Sequence, residues 1–173
     1  MQTPSSAGPL VAATLDRTLN ANSLLVIDSQ QLTDRNVQVG SAQLLSASSV
    51  NGFAIFKYIP TGQEAVVPLQ TYSAPSYLLA YDNTGSLGTG IAIANVAARP
   101  ASIPVVLRDD TGAQIGSDTI SLPAQGHTSF MLTANYAITK GKRGTIELEN
   151  PVSGHISALG LRANGSEIGR AHV

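Results

Sequence analysis

The residues of this chain whose types and spacing could do chemistry are few, and each has a plainer use. Asp110-Thr111-Gly112 is the tripeptide that aspartic proteases build around a carboxylate sharing a proton with a second Asp. That chemistry wants an apolar setting and a second Asp-Thr-Gly or Asp-Ser-Gly. Here Arg108 and Asp109 precede the motif and no second one occurs, so the tripeptide reads as a hairpin turn. Gly85-Ser86-Leu87-Gly88-Thr89-Gly90 has the glycine content of a phosphate loop, but a strand-like run, not a helix, follows it. His127, His155 and His172 lack the spacing of a metal-binding pair, and there is no Gly-x-Ser-x-Gly elbow for a hydrolase nucleophile. Glu147 and Glu149 share one strand face. As a pair they could serve as glycosidase acid and base, or bind calcium with Asp109 and Asp110; alternating charge on an amphipathic strand more simply marks the solvent side. Lys140-Gly141-Lys142-Arg143 offers three charges for an anionic polymer or a solvated turn. Asn164-Gly165-Ser166 matches a glycosylation sequon in form only.

One positive feature is aromatic. Tyr58, Tyr72, Tyr77 and Tyr81 gather in one stretch, and Tyr77 and Tyr81 fall on one strand face. Rings on an exposed face stack on the apolar side of sugars, so these two are the candidate ligand residues of a glycan-binding alternative. Packing between modules accounts for them equally well. No catalytic residue, metal or cofactor is expected.

Composition narrows the class. Charged residues make up 12%, against about 25% in ordinary soluble domains, and the net charge is −1. Nothing here courts nucleic acid or an anionic membrane. The absence of cysteine removes disulfides, thiolate metal sites and cysteine nucleophiles. No apolar run approaches the ~20 residues that cross a bilayer, so no membrane insertion is expected. Met1-Gln2-Thr3-Pro4-Ser5-Ser6 has neither the basic nor the apolar region of a signal peptide.

The elements that must position these residues come from period-2 alternation between turn residues. Expected strands are Val11–Leu19, Ser23–Asp28, Val37–Ser46, Gly52–Ile59 and Glu64–Gln70, then Tyr77–Asp82, Gly88–Asn95, Ile103–Asp109, Gln114–Leu122, Thr128–Leu132, Gly144–Glu149 and His155–Ala163. Asp82-Asn83-Thr84-Gly85 and Asp109-Asp110-Thr111-Gly112 are turns closed by glycine. One helical turn is expected at Thr133–Ile138, capped by Thr133, with Ser29–Leu32 as its counterpart.

Those elements occur twice. Residues 11–59 run parallel to residues 115–163, anchored by Gly40-Ser41-Ala42-Gln43-Leu44 against Gly144-Thr145-Ile146-Glu147-Leu148 and by Val50-Asn51-Gly52 against Val152-Ser153-Gly154. The expectation is an all-β chain of two tandem immunoglobulin-like antiparallel β-sandwich modules, the first truncated. Residues 1–71 form the C-terminal part of a first module, 72–76 a linker, and 77–166 the second module. Residues 167–173 are expected to be a non-native tail. Ile168–Val173 is what a common sequencing-adapter sequence encodes, and the stretch has no apolar alternation to make a final strand.

The runs Thr89–Asn95, Val105–Gly112, Ile120–His127 and Arg143–Leu148, with Val152 and Ala158–Arg162, resemble one module in particular. It recurs in tandem pairs near the C-termini of large exported proteins of soil bacteria, and the likeness covers most of residues 11–165. The resemblance implies an extracellular or cell-surface β-sandwich of unassigned function whose partners are neighbouring domains of the same polypeptide, or an extracellular glycan or protein. It supplies no catalytic residue. The expected role is therefore a non-catalytic structural or interaction module, a spacer or adhesion-type unit, with a carbohydrate-binding module as the alternative.

Overall fold

The computed structural model describes residues 14–28, 40–58, 62–152, 154–164 and 167–172. Its strands are β1 (Phe53–Tyr58), β2 (Gln63–Pro68), β3 (Ser76–Asp82), β4 (Leu87–Asn95), β5 (Ala101–Asp109), β6 (Gln114–Leu122), β7 (His127–Met131), β8 (Arg143–Glu149), β9 (Ile156–Asn164) and β10 (Glu167–His172). Between β7 and β8 lie a short helix, α1 (Leu132–Asn135), and a 3₁₀ turn, Ala137–Thr139. The chain is all-β and every strand pair is antiparallel.

Alternation decides which side chains turn inward. Along β4 the buried positions are Thr89, Ile91, Ile93 and Asn95; along β5 they are Ala101, Ile103, Val105 and Leu107. Tyr77, Leu79 and Tyr81 of β3, Ile146 and Leu148 of β8, and Ile156 and Ala158 of β9 join them in one core. Two sheets contribute to that core, β3-β8-β5-β6 and β10-β9-β4-β7, and the apolar faces they turn toward each other make a sandwich. β1 and β2 form a separate two-stranded sheet.

The seven strands β3–β9 follow the expected bounds closely, but their order is not that of an immunoglobulin domain. There the first and second strands share a sheet, and the last lies with the third and sixth. Here the first of the seven, β3, pairs with the sixth, β8, while the last, β9, pairs with the second, β4. Alternation records that a strand is amphipathic, and an amphipathic edge strand fits either sheet.

Other expectations are corrected as well. Among the described residues, 14–28 and 40–46 hold no strand, and every one of them is exposed. Alternation alone does not make a strand; a partner must take its hydrogen bonds, and none is paired to these segments. The rest of the expected strands Val11–Leu19 and Val37–Ser46, and the proposed counterpart turn Ser29–Leu32, lie outside the described residues. Beyond β9, where no strand is expected, β10 pairs with β9 through a register shift between Ile168 and Ala171. Its main chain satisfies the open edge of β9 without needing apolar alternation. The helical turn is present, yet Met131 and not Thr133 occupies its N-cap, with no side-chain hydrogen bond.

Asn95 closes one end of the sandwich. Its side-chain amide donates to the carbonyls of Arg99 (2.7 Å) and Pro123 (2.9 Å), and its Oδ1 accepts from the Ala97 N–H (3.1 Å). With the side chain 1% exposed, water cannot replace these partners. Asn95→Ala should lower the unfolding free energy by at least about 2 kcal/mol, measured by urea denaturation; a loss under about 0.5 kcal/mol would show that the loop does not depend on the amide.

Candidate functional site

The polar side chains weighed above converge most at the opposite end. There the β3–β4 turn, the β5–β6 turn and the segment entering β8 border a shallow cleft lined by Thr84, Asp109, Asp110, Gly141, Lys142 and Arg143. A second hollow shares Arg143 and is lined by Ala80, Tyr81, Asp82, Gly160 and Arg162. Gly85, Gly112 and Gly141 have φ of 58°, 84° and 70°, so each loop takes a left-handed step that a side chain would strain.

Almost every polar group in this cluster is committed to holding the loops. Asp82 Oδ1 accepts from the Thr84 N–H (3.0 Å) and hydroxyl (2.6 Å), and its Oδ2 accepts from Arg143 Nε (3.0 Å). Asp109 Oδ1 accepts from the Thr111 N–H (3.0 Å), the Thr111 hydroxyl (2.6 Å) and the Ala113 N–H (3.1 Å). Asn83, buried beneath, donates to the Thr139 hydroxyl (3.2 Å) and accepts from the Thr89 N–H (2.8 Å). The Tyr81 hydroxyl donates to the Arg108 carbonyl (3.0 Å). Its cross-strand neighbour is Gly144, where a Cβ would collide with that same carbonyl, so glycine is what permits the close approach.

The electrostatics follow from these bonds. Burial works against ionised Asp82, but the hydrogen bonds from Thr84 and the Arg143 guanidinium outweigh it and hold the carboxyl below its ordinary value. The Thr111 hydroxyl is the main reason that Asp109 is also lowered; partial desolvation opposes it, and the Thr111 and Ala113 N–H groups and Lys142 add to it. Burial pushes Tyr81 up, with Asp109 and Asp110 adding to the effect.

Asp110 sits exposed at the tip of the turn, and Asp109 spends its carboxylate closing that turn. Neither has the dry, apolar setting in which two carboxyls share a proton. The Gly85–Gly90 run enters β4, and no helix N-terminus follows. His127 and His155 are brought to opposite flanks of β4: His127 starts β7, and His155 precedes β9. The side chain of His172 lies outside the described residues. Glu147 and Glu149 alternate with the buried Ile146 and Leu148, so they face away from the core; the neighbours of Glu147 across the sheet are Leu78 and Val106. Among the described residues no three His, Cys, Asp or Glu side chains group closely enough to hold a metal ion. No helix among them is long and apolar enough to cross a membrane.

The two tyrosines of the glycan alternative require a correction. Tyr77 and Tyr81 do share a face, but it is the inner one, and they are 8% and 4% exposed. A sugar could not stack on either ring without opening the sandwich. The reason is positional: Tyr77, Leu79 and Tyr81 are in phase, and Leu79 belongs to the core. Tyr72 is exposed, and the side chain of Tyr58 lies outside the described residues.

Sequence reasoning missed Asn83, Asn95 and Tyr136. Asn95 carried a legible signal, since it continues the inward phase of Ile91 and Ile93. Tyr136 carried none. It meets Phe130 edge-on at 6.0 Å and donates to Asp118 Oδ2 (3.0 Å) on the edge strand β6. Burial, and then the Asp118 carboxylate, push its pKa well above the ordinary tyrosine value.

The Asp82 cluster makes a signed prediction. A native carboxyl lowered below 3.8 contributes stability that is complete above that value and fades as pH falls through the native one. Asp82→Asn should therefore cost about 1 kcal/mol at pH 7, and the gap from the parent chain should narrow at a pH well below 3.8. Equal gaps at both pH values, measured by denaturant titration, would contradict it. In comparison with known proteins, no family model matches this chain, and no curated protein and no solved structure is significantly similar to it.

Proposed function

We propose that the chain is a non-catalytic structural or interaction module, a spacer or adhesion-type unit, of an exported bacterial protein. The setting at the cell surface or outside the cell rests on the resemblance of the Thr89–Arg162 motifs. In this reading the unit is one of two tandem modules, and its sandwich is a variant of the immunoglobulin layering in which the first, fourth and last of the seven strands lie in the other sheet.

The observation that carries the reading is the joint between β2 and β3. A linker between independent domains would be solvated and free. This one is fastened along its length. Gln70 Nε2 donates to the Tyr77 hydroxyl (2.8 Å) and to the Tyr72 carbonyl (3.1 Å), and its Oε1 accepts from the Ser157 hydroxyl (2.8 Å). Further along, Asn150 Nδ2 donates to Ser73 Oγ (3.0 Å) and the Ala74 carbonyl (3.1 Å), and the Asn150 N–H donates to the Pro75 carbonyl (2.8 Å). Segment 70–75 is thereby tied to β3, to β9 and to the residue that follows β8. A fixed joint transmits orientation along a polypeptide, which is the work of a spacer; an enzyme or a glycan binder has no need of it. The end cluster agrees, because its polar groups serve the turns.

The absence of cysteine allows a direct test. Spin labels on introduced Ala54→Cys and Ser102→Cys should give one narrow distance distribution, and adding Gln70→Ala should broaden it and lower stability by about 1–2 kcal/mol. A distribution already broad in the parent would defeat the spacer reading.

A further inference from the structure

The pairing pattern points to a missing partner of definite kind for the described residues 14–28 and 40–58. Among the described residues β6 pairs only with β5, β7 only with β4, and β8 only with β3 and β5. All three thus depend on strands from the single segment Ser76–Asp109. β9 differs, because besides β4 it has β10, which follows it directly.

The first part of the chain shows what those dependencies predict for a copy without that segment. In the alignment with residues 115–163, residues 14–18, 23–28 and 40–46 stand opposite β6, β7 and β8, and all are non-strand and exposed. Opposite β9 stands β1, which forms a hairpin with β2 as β9 does with β10. The one pairing that needs nothing from a Ser76–Asp109-type segment is the one that has formed.

Local geometry keeps the same correspondence. Asn22 and Gln125 are the two non-glycine residues with positive φ among the described residues, at 59° and 55°. Each sits in a turn closed by an i to i+3 hydrogen bond, Ser23 N–H to the Asn20 carbonyl (3.2 Å) and Gly126 N–H to the Pro123 carbonyl (3.0 Å). These turns align within one residue of the register set by Gly40 and Gly144. Gly144 is crowded by Tyr81 of β3 and Arg108 of β5, whereas a Cβ on Gly40 would meet nothing. The glycine is kept, and what it makes room for is not there.

We propose that residues 14–28 and 40–58 are an acceptor for three antiparallel strands of the Ser76–Asp109 pattern, provided by another stretch of polypeptide. The incoming strands would fold 14–18, 23–28 and 40–46 into sheet, and a strand of the Leu87–Asn95 type would pair along the open edge of β1. The inference rests on the tandem reading and names the partner that reading requires. Leu24 and Leu45 are 87% and 85% exposed, and Phe53 and Ile55 are 68% and 59%. Phe53 and Ile55 fall on one face of β1. A second copy of the chain is not the occupant, because each copy brings one donor segment and two acceptors, residues 14–58 and 114–164.

The test adds a second copy of residues 76–113 ahead of the full chain and follows amide hydrogen exchange by segment. Exchange over residues 23–28 and 40–46 should slow by at least about 100-fold. The same addition carrying Ile91→Asp and Ile103→Asp in the added copy should give no slowing. Unchanged exchange over those residues with the intact addition, while 114–164 stays protected, would overturn the proposal. So would protection of 23–28 that arises in the unmodified chain through self-association. The fixed joint is read separately by the spin-label distances, so failure of one leaves the other standing.

Discussion

Strands β6, β7 and β8 can exist only where β3, β4 and β5 receive them. β5 holds β6 on one edge and β8 on the other; β4 holds β9 and β7. Apart from the β5–β6 hairpin, each of these pairings joins residues distant in sequence, so the order of strands built into 76–109 has to be in place before most of the later strands gain anything by extending. Ile91, Ile93, Ile103, Val105 and Leu107, all at most 1% exposed, are the inner faces of that receiving pair and the centre of the core. The backbone constraint and the hydrophobic one therefore fall on the same residues, and the sandwich behaves as one cooperative unit.

The ends of the sandwich are closed by amides, not by apolar residues. Asn95 satisfies two carbonyls and one N–H at one end, and Asn83 ties the β3–β4 turn to Thr139 and to the start of β4 at the other. Buried amides of this kind specify a single loop arrangement, because any other leaves polar groups unpaired where water cannot reach. The aspartates nearby follow the same logic on the surface: Asp82 and Asp109 each collect N–H and hydroxyl donors from the turn they begin. Chemistry that resembles a reactive cluster in one dimension is turn chemistry in three. In the proposed reading, it belongs with the fastened Gln70–Pro75 joint to a molecule whose output is shape.

Much of the fold was legible in the chain. The seven strands β3–β9 begin and end within about two residues of where alternation and turn residues put them, and the glycines of Asp82–Gly85 and Asp109–Gly112 take the left-handed conformation those turns demand. Three things were not legible. Ser23–Asp28 is an apolar run bounded by polar residues, yet it is not paired as a strand. β10 pairs without any apolar pattern, since an open edge asks only for main-chain donors and acceptors. Tyr77 and Tyr81 were assigned correctly to one face, but a period of two does not say which face is wet.

Taken alone, then, the amino-acid order determined periodicity and punctuation: which residues alternate and where the backbone must turn. Tertiary structure decided the rest, namely which sheet each strand joined, which face met the core, and which strand-like segments became sheet. The physical reason is that a strand's alternation is a local property of its own residues, whereas its hydrogen bonds and its burial belong to partners elsewhere in the chain.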